Sequence, residues 1–248
     1  MFSGFPLFFS YFTSSSSTYE TYQPPPPVRT ISSFDQIVLS SQRANPLVLC
    51  DIDETLLRYQ KTYNDIWNEV SLKYDRGRTQ YGMTRNMLES SNQRYTKIQY
   101  IAKMEYDQYI QETPPVPTDA EGFNRLLLRV YMLNGELKFV TARGHLSQEF
   151  TRKHLKQIGV NYDDFEIHYT DATHKGEYIK KNISFDGFND IYFIDDLDSF
   201  IDNVQTHLPQ IQCYKFIAKP IPIPPAETPT DPVAPSSSTT FMPFSITR

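Results

Sequence analysis

Asp51-Ile-Asp53-Glu54-Thr55 follows directly on the apolar run Leu47-Val48-Leu49-Cys50, so two carboxylates two residues apart leave a buried strand together. Acids so placed suit phosphoryl transfer: they can grip a hard cation, attack phosphorus and move a proton. Side chains alternate along a strand, so both carboxylates reach one cation and one phosphate only if the chain bends just after Asp51. Thr55 and Leu56 then begin the departing turn or helix. The competing reading is a loop of solvated acids capping a helix, since Asp and Thr are both good N-caps. The strand in front of the acids argues against it.

Three further stretches follow in order. Leu137-Lys138-Phe139-Val140 reads as a strand ending in Thr141-Ala142-Arg143-Gly144, which places a hydroxyl and backbone N–H groups where a phosphoryl oxygen would bind. Ile167-His168-Tyr169-Thr170 is a short strand, after which Lys175 opens a helical segment and supplies a compact positive charge. Ile191-Tyr192-Phe193-Ile194 delivers Asp195-Asp196 at its end, with Asp198 and Asp202 on the next helix. Paired acids at a strand end suit a hard cation.

In this order the four stretches resemble the motifs of the haloacid dehalogenase (HAD) superfamily of phosphohydrolases, over about residues 46 to 216. Within it the chain is most similar to the acid-phosphatase-like branch and to uncharacterised HAD-like proteins, some of them from large DNA viruses. The resemblance implies a magnesium-dependent phosphatase that hydrolyses phosphate monoesters through an aspartyl-phosphate. Asp51 is then the nucleophile and Asp53 the acid and base. Mg2+ is held by a carboxylate oxygen of Asp51, the backbone carbonyl of Asp53 and Asp195 directly, with Asp196 acting through water. Thr141 and the N–H of Ala142 hold phosphoryl oxygens, and Lys175 offsets charge on Asp51 and the phosphate. Arg143 either touches substrate or ties down its loop. An acid at position 53 fits phosphatases and related phosphotransferases better than carbon-halogen cleavage. Asp-x-Asp-x-Thr-Leu also resembles phosphatases of the RNA polymerase tail, whose insertion is small where this one is long. The alternative function is a non-catalytic HAD-fold binding or structural protein acting through its tails.

The elements that must position these residues read as an α/β fold: a Rossmann-like parallel sheet flanked by helices, its site at the strands' carboxyl ends. Between Thr55 and Thr141 lie 85 residues, far more than one crossover needs, so an insertion lies there, and the resemblance implies that it is a helical cap at about residues 60 to 115. Tyr63, Trp67, Val70 and Tyr74 share one helical face, and a second helix spans Tyr95 to Gln111 until Pro114-Pro115-Val116-Pro117 stops it. The aromatic residues either stack on an aromatic leaving group or pack the helices. A third helix is capped by Asp119, buries Phe123, Leu126, Leu127 and Val130, and ends before Gly135. Helices at 146–158, 175–182 and 198–208 and a strand at 211–216 complete the core. His145, His154 and His174 show no partner in the sequence.

Thirteen of the 18 prolines lie at Pro6, in Pro24 to Pro27, or from Pro220 onward, which leaves a catalytic domain over 44–217 between disordered tails, 1–43 and 218–248. Phe2, Phe5, Leu7, Phe8, Phe9, Tyr11 and Phe12 form an apolar patch, open to reading as a secretory signal, a docking segment or an idle tail. It is too short to span a bilayer. The proline-rich carboxyl end is a solvated spacer or a ligand for a proline-binding protein partner. Only Cys50 and Cys213 are present, so there is neither a disulfide framework nor a zinc spacing, and reducing, intracellular surroundings are favoured, with secretion or virion association left open. A net charge of -5 gives no reason to expect nucleic acid. Arg76, Arg78, Arg85 and Arg94 cluster with tyrosines, as an anionic-substrate contact or a solvated helix face. A small phosphorylated substrate is the expected partner.

Overall fold

The computed structural model describes residues 24–40, 44–80, 91–171 and 173–221. The apolar amino-terminal segment, Arg85 of the arginine cluster and the carboxyl tail beyond residue 221 lie outside them. The chain divides into two compact units, 1–218 and 219–248; every element below belongs to the first.

Strand β2 (Pro46–Cys50) is buried at all five positions, as a near-continuous apolar run should be when helices cover both faces of a parallel sheet. It pairs in parallel with β5 (Glu136–Thr141) on one side and β7 (Asp190–Asp195) on the other. With β1 (Arg29–Ile31), β6 (Glu166–Tyr169) and β8 (Gln212–Phe216) the six-stranded order is β1-β8-β7-β2-β5-β6. The chain winds outward from β2 in both directions, so β2 sits where the strand order reverses, the place where open α/β sheets form ligand crevices.

Alternation along the strands divides the core in two. Val48, Cys50, Phe139 and Ile194 face helices α3 (Ala120–Met132) and α4 (Gln148–Gln157) through Phe123, Leu126, Val130 and Leu155. Leu47, Leu49, Val140 and Phe193 face α5 (Lys175–Asn182) and α6 (Asp198–His207) through Ile179, Ile201 and Val204. Burying each such side chain contributes about 1.5–3 kcal/mol, which pins the strand register and with it the residue at each strand's end. The α3 stop differs in detail from expectation: the left-handed residue is Asn134, φ 54°. Gly135 is needed instead because a Cβ there would meet the Pro46 carbonyl at 2.4 Å.

Between β2 and α3 the chain makes a two-stranded antiparallel ribbon, β3 (Leu57–Arg58) with β4 (Val116–Pro117), and between those strands run helices α1 (Tyr63–Gln80) and α2 (Ser91–Glu112). Ile66 and Val70 pack on Ile98 and Ala102, ringed by Tyr63, Trp67, Tyr74 and Tyr106. Arg94, of the arginine cluster, is ion-paired with Asp75.

The amino-terminal boundary expected at residue 43 is too late. Strand β1 adds to the edge of the sheet beside β8, and Phe34 and Ile37 have no exposed surface. Phe34 stacks on Phe216 at 4.8 Å. Asp119 accepts from Gly122 N at the start of α3 and also from Ser33 Oγ and Phe34 N. Arg129 donates to the carbonyls of Phe34 and Ile37. Four consecutive prolines signal extended chain, but the residues after them carry enough apolar surface to join the core.

Candidate active site

Each motif residue stands at the carboxyl end of its strand because the ladder runs out there. The Asp51 N–H donates to Ile194 O at 2.9 Å, carrying the pairing of β2 with β7 one residue past Cys50. Asp195 is the last residue of β7 and Thr141 the last of β5. Lys175 opens α5, the helix that follows β6, and its Nζ reaches back to Asp51 Oδ1 at 2.5 Å and Asp195 Oδ2 at 2.7 Å. Gly176 permits that approach: a Cβ there would meet the Asn203 carbonyl of α6 at 2.5 Å, and its N–H donates to Asn203 Oδ1. All four stretches thus converge, in sequence order, on one end of a parallel sheet around its central strand. The fold is a Rossmann-like α/β sheet.

The bend expected after Asp51 is present in this core. The N–H groups of Leu56 and Leu57 both donate to Ile52 O, and Glu54 takes the left-handed conformation, φ 57°. Thr118 ties the turn down, its Oγ1 donating to Thr55 O and its N–H to Leu56 O. Asp53 thereby opens onto the same cavity as Asp51.

Electrostatics at the strand ends are unbalanced. Burial, which Lys175 only partly offsets and the neighbouring acids reinforce, raises the Asp51 carboxyl well above the ordinary carboxylate range. Burial and the adjacent Asp195 push Asp196 up to about 7. Burial alone would lower Lys175, but Asp195 and Asp51 outweigh it and hold the ammonium above the usual lysine range. One ammonium therefore faces three carboxylates, those of Asp51, Asp195 and Asp196, whose oxygens lie within 4.8 Å of one another. An all-oxygen donor set with surplus negative charge fits a hard divalent cation.

The two paired acids are not equivalent. Asp195 is fully buried, with Oδ2 on Lys175 and Oδ1 accepting from Leu197 N at 2.9 Å. Asp196 faces the cavity beside Asp51 and Asp53. Of the groups expected to hold phosphate, Ala142 lines the cavity, whereas Thr141 is fully buried and its hydroxyl accepts from Arg143 N. Lys175 is also fully buried and touches Asp51 rather than open space.

Arg143 ties down more than its loop. Its Nε and an Nη take both oxygens of Asp53, at 2.8 and 2.6 Å, and it also donates to Tyr59 Oη and Thr151 Oγ1. Tyr59 in turn meets His154 Nδ1 at 2.9 Å. Burial and nearby Arg143 lower His154 to about 4, so it is neutral and shares one hydrogen bond with the Tyr59 hydroxyl. The partners missing from the sequence reading for His154 and His145 are thus Tyr59 and Asp171, the latter at 2.5 Å. Tyr59 escaped notice in the sequence, and Glu54 stood there without a role of its own. Adjacency to the acidic motif is the only signal either carried there.

Beyond the acids opens a cavity of about 680 Å³, walled by the core, by α1 and α2, and by residues 215–218. No described helix is long and apolar enough to cross a membrane.

No family model matches the sequence, and no curated protein matches it. Among solved structures, the chain is similar to a protein assigned as a β-phosphoglucomutase from Thermotoga maritima, at 14% identity and TM-score 0.39 over 68% of this chain and 84% of that one. A protein assigned as a phosphatase from Clostridium difficile matches at 14% and 0.42, over 70% and 85%. The class C acid phosphatase of Bacillus anthracis, solved with tungstate, matches at 12% and 0.38, over 73% and 70%. Overlaps this loose transfer no activity, and the functional reading rests on the residues themselves.

Proposed function

We propose that the chain is a magnesium-dependent phosphatase that hydrolyses phosphate monoesters through an aspartyl-phosphate at Asp51. The observation that carries this reading is Lys175 bridging Asp51 and Asp195 at adjacent strand ends, with Asp53 and Asp196 beside them at a cavity large enough for a substrate. Magnesium would be held by Asp51, the Asp53 carbonyl and the paired acids, and would neutralise phosphoryl charge. Because both Asp195 oxygens are engaged, Asp196 takes the direct position and Asp195 the supporting one, the reverse of the sequence expectation.

The Asp51 carboxylate attacks phosphorus, the phosphorus–oxygen bond to the leaving group breaks, and the departing oxygen takes a proton from Asp53. Asp53 then accepts a proton from the water that displaces Asp51 and releases inorganic phosphate. Lys175 holds Asp51 in line and offsets its charge. Ala142 N–H meets a phosphoryl oxygen, and Thr141 shapes its loop. Helices α1 and α2 act as a cap that limits access of water and substrate. The folded domain spans about 24–218, and the buried free thiols of Cys50 and Cys213 accord with reducing, intracellular surroundings.

One observation favours a second reading, binding without turnover: Arg143 occupies both oxygens of Asp53, so one must leave the guanidinium before it can carry a proton. Phosphate release from an aryl phosphate, with and without magnesium, for the parent and Asp51→Asn, decides. Turnover needing both metal and Asp51 supports the phosphatase. Phosphate-analogue binding without such turnover supports the second reading.

A further inference from the structure

Rings and methyl groups contribute to the lining of the cavity that holds the acids. Tyr63 and Tyr106 meet edge to face at 5.7 Å, and both line the cavity together with Phe200. Leu197 and Ile217, also in that wall, are 48% and 51% exposed, apolar surface that a seated ligand would cover. Trp67, by contrast, packs on Tyr95 at 5.1 Å and does not line the cavity.

Charge narrows the ligand further. The three cations that line the cavity are already matched: Arg143 by Asp53, Lys103 by Asp107 and Lys215 by Asp198. The acids in the wall outnumber them, with Asp51, Asp53, Glu54, Asp107 and Asp196 all present. A second anionic group on the ligand would be left unpaired and repelled. Flat rings, by contrast, find aromatic faces and edges at favourable separation.

We propose that the substrate is a phosphate monoester whose leaving alcohol carries a flat, uncharged aromatic group, seated against Tyr63 and Tyr106. The proposal rests on the phosphatase reading and names the substrate class of that site. Tyr106 is the specificity residue. Burial, with Asp53 and Glu54 nearby, raises its hydroxyl above the ordinary tyrosine range, so it stays protonated beside the acids and presents an uncharged ring.

The test compares, in the full chain with magnesium, 2-naphthylmethyl phosphate, its decahydro counterpart and a carboxylated naphthylmethyl phosphate. The first two release alcohols of like acidity and equal carbon number that differ in flatness. The expected kcat/KM is about tenfold higher for the flat uncharged ester than for either other, the size of one ring contact. Tyr106→Leu should narrow the flat-to-puckered ratio to about twofold. Equal rates for the three esters, or an unchanged ratio in the variant, would overturn the proposal and leave the phosphatase standing. If no ester exceeds the Asp51→Asn background, the phosphatase reading itself fails. Calorimetric binding of the matching phosphonates to the parent protein then decides: tighter binding of the flat one keeps the ligand class, and equal binding removes it. The same measurement serves if Tyr106→Leu does not fold.

Discussion

The Lys175 ammonium lies 2.5 Å from Asp51 Oδ1, joining a residue of helix α5 to the end of the central strand in a place with almost no access to water. Its second contact, Asp195 Oδ2 at 2.7 Å, makes it the single charge holding two buried strand ends together. Removing one partner of a buried ion pair costs more than the pair contributes, because the other charge is left uncompensated. Lys175→Met is expected to lower stability by about 3–5 kcal/mol in denaturant unfolding. The double change with Asp195→Asn should recover part of that loss. A single-variant loss under about 1 kcal/mol would show the ammonium is dispensable.

Asp196 and Asp195 should separate in metal binding. Magnesium at ten times its dissociation constant should stabilise the parent by about 1.4 kcal/mol, seen as a rise in Tm. Asp196→Asn should fold and show no rise, since it removes the cavity-facing ligand and leaves the Lys175 bridge intact. If the variant keeps the parent's magnesium response, the assignment of Asp196 as the direct ligand is wrong.

His154 gives the fold a defined acid limb. Its folded pKa of about 4 lies below the unfolded value near 6.5, so between these pH values the unfolded chain binds more protons and stability falls with falling pH. The contribution is complete above about pH 6.5 and lost by pH 4, at most about 3 kcal/mol. His154→Gln, which can still hydrogen-bond Tyr59, should lose less stability than the parent between pH 7 and 4.5 in thermal melts. Parallel curves for the two proteins would refute this.

Arg143 is the bidentate partner of Asp53 and donates to two further side chains, a role that the point charge of a lysine cannot fill. Arg143→Lys is expected to cost about 1–3 kcal/mol of stability and to lower kcat more than it changes KM. A KM effect alone would mean that Arg143 binds substrate instead.

Glu54 bears a left-handed backbone and a carboxyl oxygen, Oε1, that has no hydrogen-bond partner among the described residues. Glu54→Gly should raise stability by about 0.5–1 kcal/mol, measured by chemical denaturation. A loss would show that the side chain holds the turn.

Much of this was legible in the chain. The runs Leu47–Cys50, Leu137–Val140 and Ile191–Ile194 are apolar at every or nearly every position and carry chemistry at their exits, and they appear as neighbouring parallel strands. Asp119 was readable as a cap because its partner, Gly122, is three residues away. The strap from Arg29 to Ser40 was not, because β1 pairs with residues 214–216 and no local periodicity reports so distant a partner. His154 was passed over for the same reason: Tyr59 lies 95 positions away.

The sequence by itself determined the central strands and the helices that follow them, and that the acidic and hydroxyl motifs stand at strand ends and Lys175 at a helix start, since these follow from short-range apolar patterning and turn chemistry. The tertiary structure alone decided that Asp195 is sealed beneath Lys175 while Asp196 faces the cavity, that Arg143 holds Asp53, and that Tyr63 and Tyr106 rather than Trp67 face the site. Those outcomes depend on burial and on distances of a few ångströms between residues far apart in the chain, where a hydrogen bond or a charge takes its strength from its surroundings.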